Sequence, residues 1–559
     1  MRCAYSLLYL AMPVMLASPP KEFDYIIVGA GSAGAVLAAR LSADPAITVC
    51  LIEAGKCDKH PLIHIPFGLA GLSRVTNLNW GYTTAPQTAL NDRELFWPRG
   101  KTLGGSSSIN AMCYIRGQYS DYDDWVRAGA IGWGAKDVIP WFKKAENFAG
   151  EADEYHGHGG PLQVNSLRHV DPLSRRFVAA AREVGLPQCN DFNRAHREGL
   201  GLYHVTQSQG QRCSSAKAYL GGITGRVNLV IKTQVLVEKI LIKAGAAAGV
   251  QLRSSGTSEQ ILARSETIVC AGAINSPQLL MLSGIGPKQE LQRHGIALVA
   301  EAPGVGQNLQ DHLDVIVQCA SAGRHGYAVT PAALPTFFHA ALAYAFRRNG
   351  PFSSNIAEAG GFACSATASP GKPDLQFHFL PARLNDHGRR TTFGYGFGLH
   401  VCNLYPKSRG EIRLYSSHPA DPPIIDPRYL SHPADLPVML DGLRMARQIL
   451  HSEALAPCLK KEVLPGMERT SDSALTEFIR EYSETIYHPV GTCKIGRPDD
   501  SWAVVDPELK VIKVKRLRVV DASVMPSIIG GNTHAAVVMI AERAACFILQ
   551  DRQRRGTAA

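Results

Sequence analysis

The sequence contains no C-x-x-C pair, and its 13 cysteines are dispersed, with no Cys/His cluster at zinc-ligand spacing. That excludes zinc-finger, iron–sulfur and c-type haem readings. An odd, scattered set in so long a chain is also a poor disulfide framework and fits a reducing compartment. No segment repeats with a period of about 20–50 residues, which excludes solenoids and propellers. The 52 glycines follow no G-X-Y period, which excludes collagen. Charged residues make up only 19 % and form no long run. The net charge of +10 is spread along the chain. Its densest clusters, Lys513–Arg516 and Arg552–Arg555, are short, so they read as solvated surface and not as a nucleic-acid footprint. Beyond residue 21 no apolar run is long enough to cross a bilayer.

What is present is ordinary globular composition, 45 % hydrophobic over 559 residues. At roughly 150 residues per domain the length suggests three to four units. Residues 1–20 carry one cation, Arg2, then an uncharged stretch ending in small residues at Ala17-Ser18. They read as a signal, an anchor or an over-long start with translation beginning at Met12 or Met15. Pro13 and Pro19-Pro20 count against a signal.

Phe23–Val28 is a short apolar strand candidate that runs into Gly29-Ala30-Gly31-Ser32-Ala33-Gly34. A helix rich in small residues follows, then a strand Ile47–Ile52 ending in Glu53. This is G-x-G-x-x-G in its required setting of strand, helix and acid at the end of the next strand. Gly29 permits the turn, Gly31 lets backbone approach a pyrophosphate, and Gly34 lets helix and strand pack. Ser32 and Ala33 open the helix whose N-terminus faces the phosphates. Glu53 can accept hydrogen bonds from a ribose diol, and its charge disfavours a 2′-phosphate. FAD and NAD both remain open from this motif.

A second block, Gly100–Asn110, is dense in Gly and Ser and is flanked by apolar residues. Gly104, Gly105, Ser106, Asn110, Ala111 and Met112 let backbone lie against a flat ring or a ribityl chain. A third, Thr267–Gly286, reads as a strand turning at Gly272 into a helix opened by Ser276-Pro277. Near the C-terminus stand Tyr487–Gly496, Arg518–Pro526 and Gly530-Gly531-Asn532-Thr533-His534, the last leading into a helix to about Phe547. Leu375–Phe379 alternates as a half-buried strand would. Pro335–Phe346 reads as an apolar helix with its aromatic side in the core, the alternative being membrane contact.

These blocks, with Pro303–His312, resemble the paired signatures of the glucose-methanol-choline (GMC) oxidoreductases, over essentially residues 22–550. The stretches between signatures resemble the medium-chain alkanol dehydrogenases of that family, then its choline dehydrogenases. The resemblance implies an α/β (α+β overall) fold. A discontinuous Rossmann-like FAD domain would occupy 22–319, with excursions into the substrate domain. A substrate domain with a mostly antiparallel sheet would occupy 320–484, and 485–550 would return to the FAD domain. It implies His488 as the catalytic base and Asn532 as its partner. Asp521, Ala522 and Thr533 would approach the flavin, and Val237 the adenine. Some members attach FAD through a His just before the Asn of the Gly-Ser block; Ile109 stands here, which implies non-covalent FAD. His312 would be packing or surface.

The implied activity is oxidation of a primary, medium-chain aliphatic alcohol by hydride transfer to flavin N5. No metal and no nucleic acid take part. Electrons would pass to a quinone-type acceptor, from a cytoplasmic enzyme peripheral on the inner face of the membrane. Choline dehydrogenase, an O₂-using oxidase and, from another class, a non-catalytic dinucleotide-binding module are the alternatives. Oligomeric state is left open.

Overall fold

The structure, a computed structural model, describes residues 21–557 except 73 and 255. The N-terminal stretch 1–20 lies outside the described residues.

Tyr25–Val28 and Val49–Ile52 are unbroken apolar runs because they are buried on both faces, and Thr267–Val269 is buried with them. They form the centre of a parallel sheet ordered Leu229–Thr233, Val49–Glu53, Glu22–Val28, Thr257–Val269, Leu517–Val519. Thr257–Val269 is 13 residues long and, besides Glu22–Val28, serves two further partners. Its first half pairs antiparallel with Ala246–Ser254, and its last three residues pair with Leu517–Val519. The chain thus returns to the first domain long after leaving it.

The helix Ser32–Leu41 buries its small residues against the C-terminal helix His534–Thr557. Arg40 reaches Glu542, wholly buried on the second helix, at 2.7 Å. That helix extends ten residues past the expected end at Phe547. The helix expected to open at Ser276-Pro277 begins earlier, at Gly272. Pro277 sits inside it and cannot donate to the Ala273 carbonyl. The Thr492 hydroxyl donates there instead, at 2.6 Å.

The second sheet is antiparallel, ordered Leu459–Leu464, Leu313–Ser321, Gly396–Asn403, Leu375–Leu380, Ala359–Ala363, Gly199–Leu202. It begins at Leu313, ahead of residue 320, and borrows an edge strand from before residue 210. Leu375–Leu380 is buried on both faces. Phe377 and Phe379 face the helical layer, where Phe379 stacks on Phe177 at 4.7 Å. His378 lines an internal cavity and Gln376, on the same side, bonds Asn532 in its wall, so the polar side of the alternation is turned toward the cavity and not solvent.

The helix Leu334–Arg347 differs from expectation. Phe337, Ala340 and Tyr344 face inward, but Leu334, Phe338, Leu342 and Phe346 are exposed.

Candidate active site

A cavity of about 430 Å³ is walled by the C-terminal ends of the parallel strands and by the antiparallel sheet. At one end, Gly29 N–H donates to the Ile52 carbonyl at 2.8 Å, drawing the turn onto the second strand. Glu53 closes the loop from there, accepting from Ala30 N–H at 2.9 Å and Gly55 N–H at 2.8 Å. Both of its oxygens are engaged by backbone while its side chain still forms cavity wall. Burial raises its pKa to about 7, against these donors.

The second glycine block locks onto the first. Gly104 N–H donates to the Ala30 carbonyl at 2.8 Å. Gly105 has φ +52°, and a Cβ there would lie 2.8 Å from Gly31 Cα. Two backbones this close leave the cavity wall made of N–H groups and bare Cα atoms, a surface fit for phosphate and a flat ring. Buried Arg212 sets the block from behind. It donates to the Asn110 side-chain oxygen at 2.8 Å and to the carbonyls of Ile63 and Ser107 at 2.8 and 3.2 Å. The third block joins through Asp521, buried, which accepts from Gly272 N–H at 2.8 Å and from Ser523 N–H at 2.8 Å. Burial raises its pKa.

At the other end His488 is buried. Its Nδ1 is 3.0 Å from His312 Nδ1, and its Nε2 is 3.2 Å from Asn532 Nδ2. The proton positions follow from partners that have no choice. The Leu404 carbonyl, 3.1 Å from His312 Nε2, can only accept, so His312 carries its proton there. Burial lowers the His312 pKa to about 3, so the ring is neutral and its Nδ1 is bare. His488 must then donate from Nδ1. Burial, with His312, His378 and Arg99 nearby, holds His488 well below its ordinary value, so it is neutral too. Its Nε2 lone pair is left to Asn532 and the cavity. Gln376 donates to Asn532 Oδ1 at 3.0 Å, which turns the Asn532 amide N–H₂ toward His488.

The stretch Asn308–His312 holds this end in place. Asp311 accepts from His488 N–H at 2.6 Å and from the hydroxyls of Thr485 and Tyr429. Gln310 pairs with Val490 through backbone and accepts from Ile528 N–H at 3.2 Å. Tyr487, just before His488, has φ +69°, a left-handed conformation. Its carbonyl is held by Arg99 at 2.7 Å. Strain of this kind persists only where surrounding bonds over-determine it.

Of the residues singled out in the sequence, Gly29, Gly31, Ser32, Ala33, Glu53, Gly105, Ser106, Asn110, Ala111, Met112, Val237, His488, Asp521, Ala522, Asn532 and Thr533 line this one cavity. Gly34 and Gly104 do not. Gly34 lies beneath Gly29, where a Cβ would sit 1.9 Å from the Gly29 carbonyl oxygen. Gly104 makes the turn behind Gly105. His534 also lines the cavity, with Nε2 3.0 Å from Ser215 Oγ. His312, read as packing or surface, is buried and bonds His488 directly; Gln376 and Arg212 also belong to the site and carry no local sequence signal. Each is known by a partner far away in the chain.

A dinucleotide-binding parallel sheet whose cavity ends on a neutral histidine beneath an antiparallel roof is the architecture of an FAD-dependent oxidoreductase, and the interlocked glycine blocks fit that cofactor. The chain belongs to the GMC oxidoreductase family: the family's N-terminal model matches residues 23–314 and its C-terminal model residues 406–541. It is 50 % identical over 531 residues to an alcohol dehydrogenase [acceptor] of Pseudomonas putida, covering 94 % of this chain and 96 % of that protein. It is 42 % identical over 544 residues to the mitochondrial choline dehydrogenase of Mus musculus, covering 94 % and 89 %. Among solved structures, an R554K variant of Aspergillus oryzae formate oxidase, studied for FAD modification, superposes with a TM-score of 0.89. It is 28 % identical, with 96 % of this chain and 100 % of that one covered.

Proposed function

We propose that this protein oxidises primary, medium-chain aliphatic alcohols to aldehydes, with His488 as the base. The observation that carries this is the forced tautomer of His488, which leaves an Nε2 lone pair beside the Asn532 amide at the cavity wall. An alcohol placed there gives its hydroxyl proton to His488 Nε2. Its oxygen, as negative charge develops, accepts from Asn532 Nδ2. FAD, when bound, supplies the two-electron acceptor for the carbinol hydride.

Several features support the substrate class. Ile356, Leu380, Leu384 and Ile486 line the cavity, giving room for an alkyl chain. Of the carboxylates that line it, Glu53 and Asp521 hold the glycine turns and Asp421 accepts from the Ser416 hydroxyl at 2.6 Å, so each is already engaged within the protein. The similarity to the Pseudomonas alcohol dehydrogenase [acceptor] points the same way. Aliphatic Ile109, in the cavity wall before Asn110, supports non-covalent FAD, held by the glycine blocks and Glu53, with Val237 at the adenine. A quinone is the acceptor, reached from the cytoplasmic side by peripheral contact with the membrane.

The purified protein is expected to be yellow and to release FAD on acid precipitation; flavin remaining in the pellet would overturn the non-covalent assignment. Anaerobic addition of a medium-chain alkanol should bleach the flavin absorption, choline should not, and a ubiquinone analogue should restore it faster than air. Bleaching by choline alone, or stoichiometric H₂O₂ in air, would replace this reading. His488→Ala should keep FAD and lose about 10²–10⁴-fold in kcat, with Asn532→Ala losing less.

A further inference from the structure

The exposed face of the helix Leu334–Arg347 is out of keeping with a solvated surface. Phe338 is 64 % exposed, Leu334 66 % and Phe346 84 %. With Leu342 they recur every fourth residue and form one stripe. Val329, which pairs with Phe393, 71 % exposed, continues the apolar surface at the start of the helix. The opposite side is anchored: Phe337 meets Phe67 at 5.9 Å, and the Tyr344 hydroxyl donates to the Gly210 carbonyl at 3.0 Å. The stripe is therefore presented by a rigid element.

Its charge surroundings are one-sided. Between Asp314 and Glu358 the sequence has no acidic residue, while Arg324, Arg347 and Arg348 are exposed. None of these three meets a carboxylate among the described residues. The loop that carries Phe393 adds the exposed Arg390, whose contact with Asp386 at 3.8 Å is shared with Arg389. The same loop carries Leu384 and Gly388, which line the active-site cavity.

The structure assigns this face as the site where the protein docks on an anionic lipid bilayer, with the helix lying in the plane of the interface. Fourteen residues span about 21 Å, too short to cross a hydrocarbon core of about 30 Å. Phenylalanine and leucine on one side with arginines at the edge is the pattern of an interfacial helix. A twofold contact with a second copy would set the arginine rim against itself. Docked this way, the loop that walls the cavity meets the phase in which apolar alcohols and lipid quinones are concentrated. The inference rests on the proposed lipid-phase chemistry for its purpose, and on the surface for its evidence.

The test is flotation of the full-length, FAD-loaded protein with phosphatidylcholine vesicles, with and without phosphatidylglycerol. The wild type should float with the phosphatidylglycerol vesicles at low salt. Phe338→Glu/Phe346→Glu should reduce flotation by about tenfold or more. Arg347→Glu/Arg348→Glu should also lose roughly tenfold, on the anionic vesicles alone. Both variants should keep wild-type turnover with a soluble dye acceptor, which shows that they fold. Absence of wild-type flotation, or equal flotation by the phenylalanine variant, overturns the assignment. So does a wild-type dimer that the phenylalanine variant dissociates, with no vesicle binding. Flotation by a protein that no alcohol bleaches would defeat the proposed reaction and leave this docking face standing.

Discussion

His312 does not itself line the cavity, yet its bare Nδ1 decides on which nitrogen His488 keeps its proton. His312→Ala should therefore retain FAD and lower kcat, by less than the loss expected of His488→Ala. His312→Gln can still donate to Leu404 and accept from His488, so it should recover most of that loss. A purely structural role for His312 would make the two variants alike. The pH dependence follows from burial. A histidine is lost as a base only when pH falls below its own pKa, and His488 is held well below the usual 6.5. With a saturating soluble acceptor, kcat/KM should stay level from pH 8 to about 6, where an ordinary histidine would already be more than half protonated. A drop centred near 6.5 would show that the buried base is not depressed. The sequence singled out His488 through its motif. It placed His312 at the end of another signature block and read it as packing or surface, because its pairing with His488 is created by strands that meet in three dimensions.

Elements are positioned here by bonds that cross between distant segments. The helix Gly272–Leu282 tolerates an interior proline because Thr492 supplies the missing donor. Thr492→Val keeps the shape and leaves the Ala273 carbonyl buried without that partner. It should cost about 1–3 kcal/mol, measured by denaturant unfolding with the m-value unchanged. An unchanged stability would mean that the helix closes over Pro277 by itself. Gly105→Ala is a sharper case. The new Cβ meets Gly31 Cα, and φ is +52°, so the two glycine blocks must part; purified Gly105→Ala should be colourless or lose FAD on dialysis. The strand–glycine–helix order around Gly29 was legible because each piece is encoded locally. The start of the later helix was placed four residues late, because a proline usually marks a helix start and a rescuing hydroxyl two hundred residues away leaves no local trace.

At the scale of the whole molecule, the cavity is bounded by stretches from near residue 28 to near residue 537. FAD that binds this assembly and not the unfolded chain must stabilise it, by about 2.7 kcal/mol at a hundred times its Kd. Deflavinated protein should melt at a lower Tm, and added FAD should restore it in a concentration-dependent way. An identical Tm with and without FAD would show that the cavity is fully held by the protein alone.

What the sequence by itself determined is what short-range chemistry encodes: the glycine turn and its acid, the Gly-Ser block, an apolar helix ahead of residue 347, the family, and the histidine of the C-terminal motif. The tertiary structure decided the rest. It brought His312 to His488 across 176 residues and Gln376 to Asn532 across 156. It turned the polar side of Leu375–Leu380 onto a cavity instead of solvent. It left the stripe from Leu334 to Phe346 uncovered, where an apolar helix had read as core. A 3.6-residue period states that a helix has an apolar side, but the same pattern serves for packing on a sheet or on a lipid surface. Which of these it meets depends on whether another part of the chain arrives to cover it.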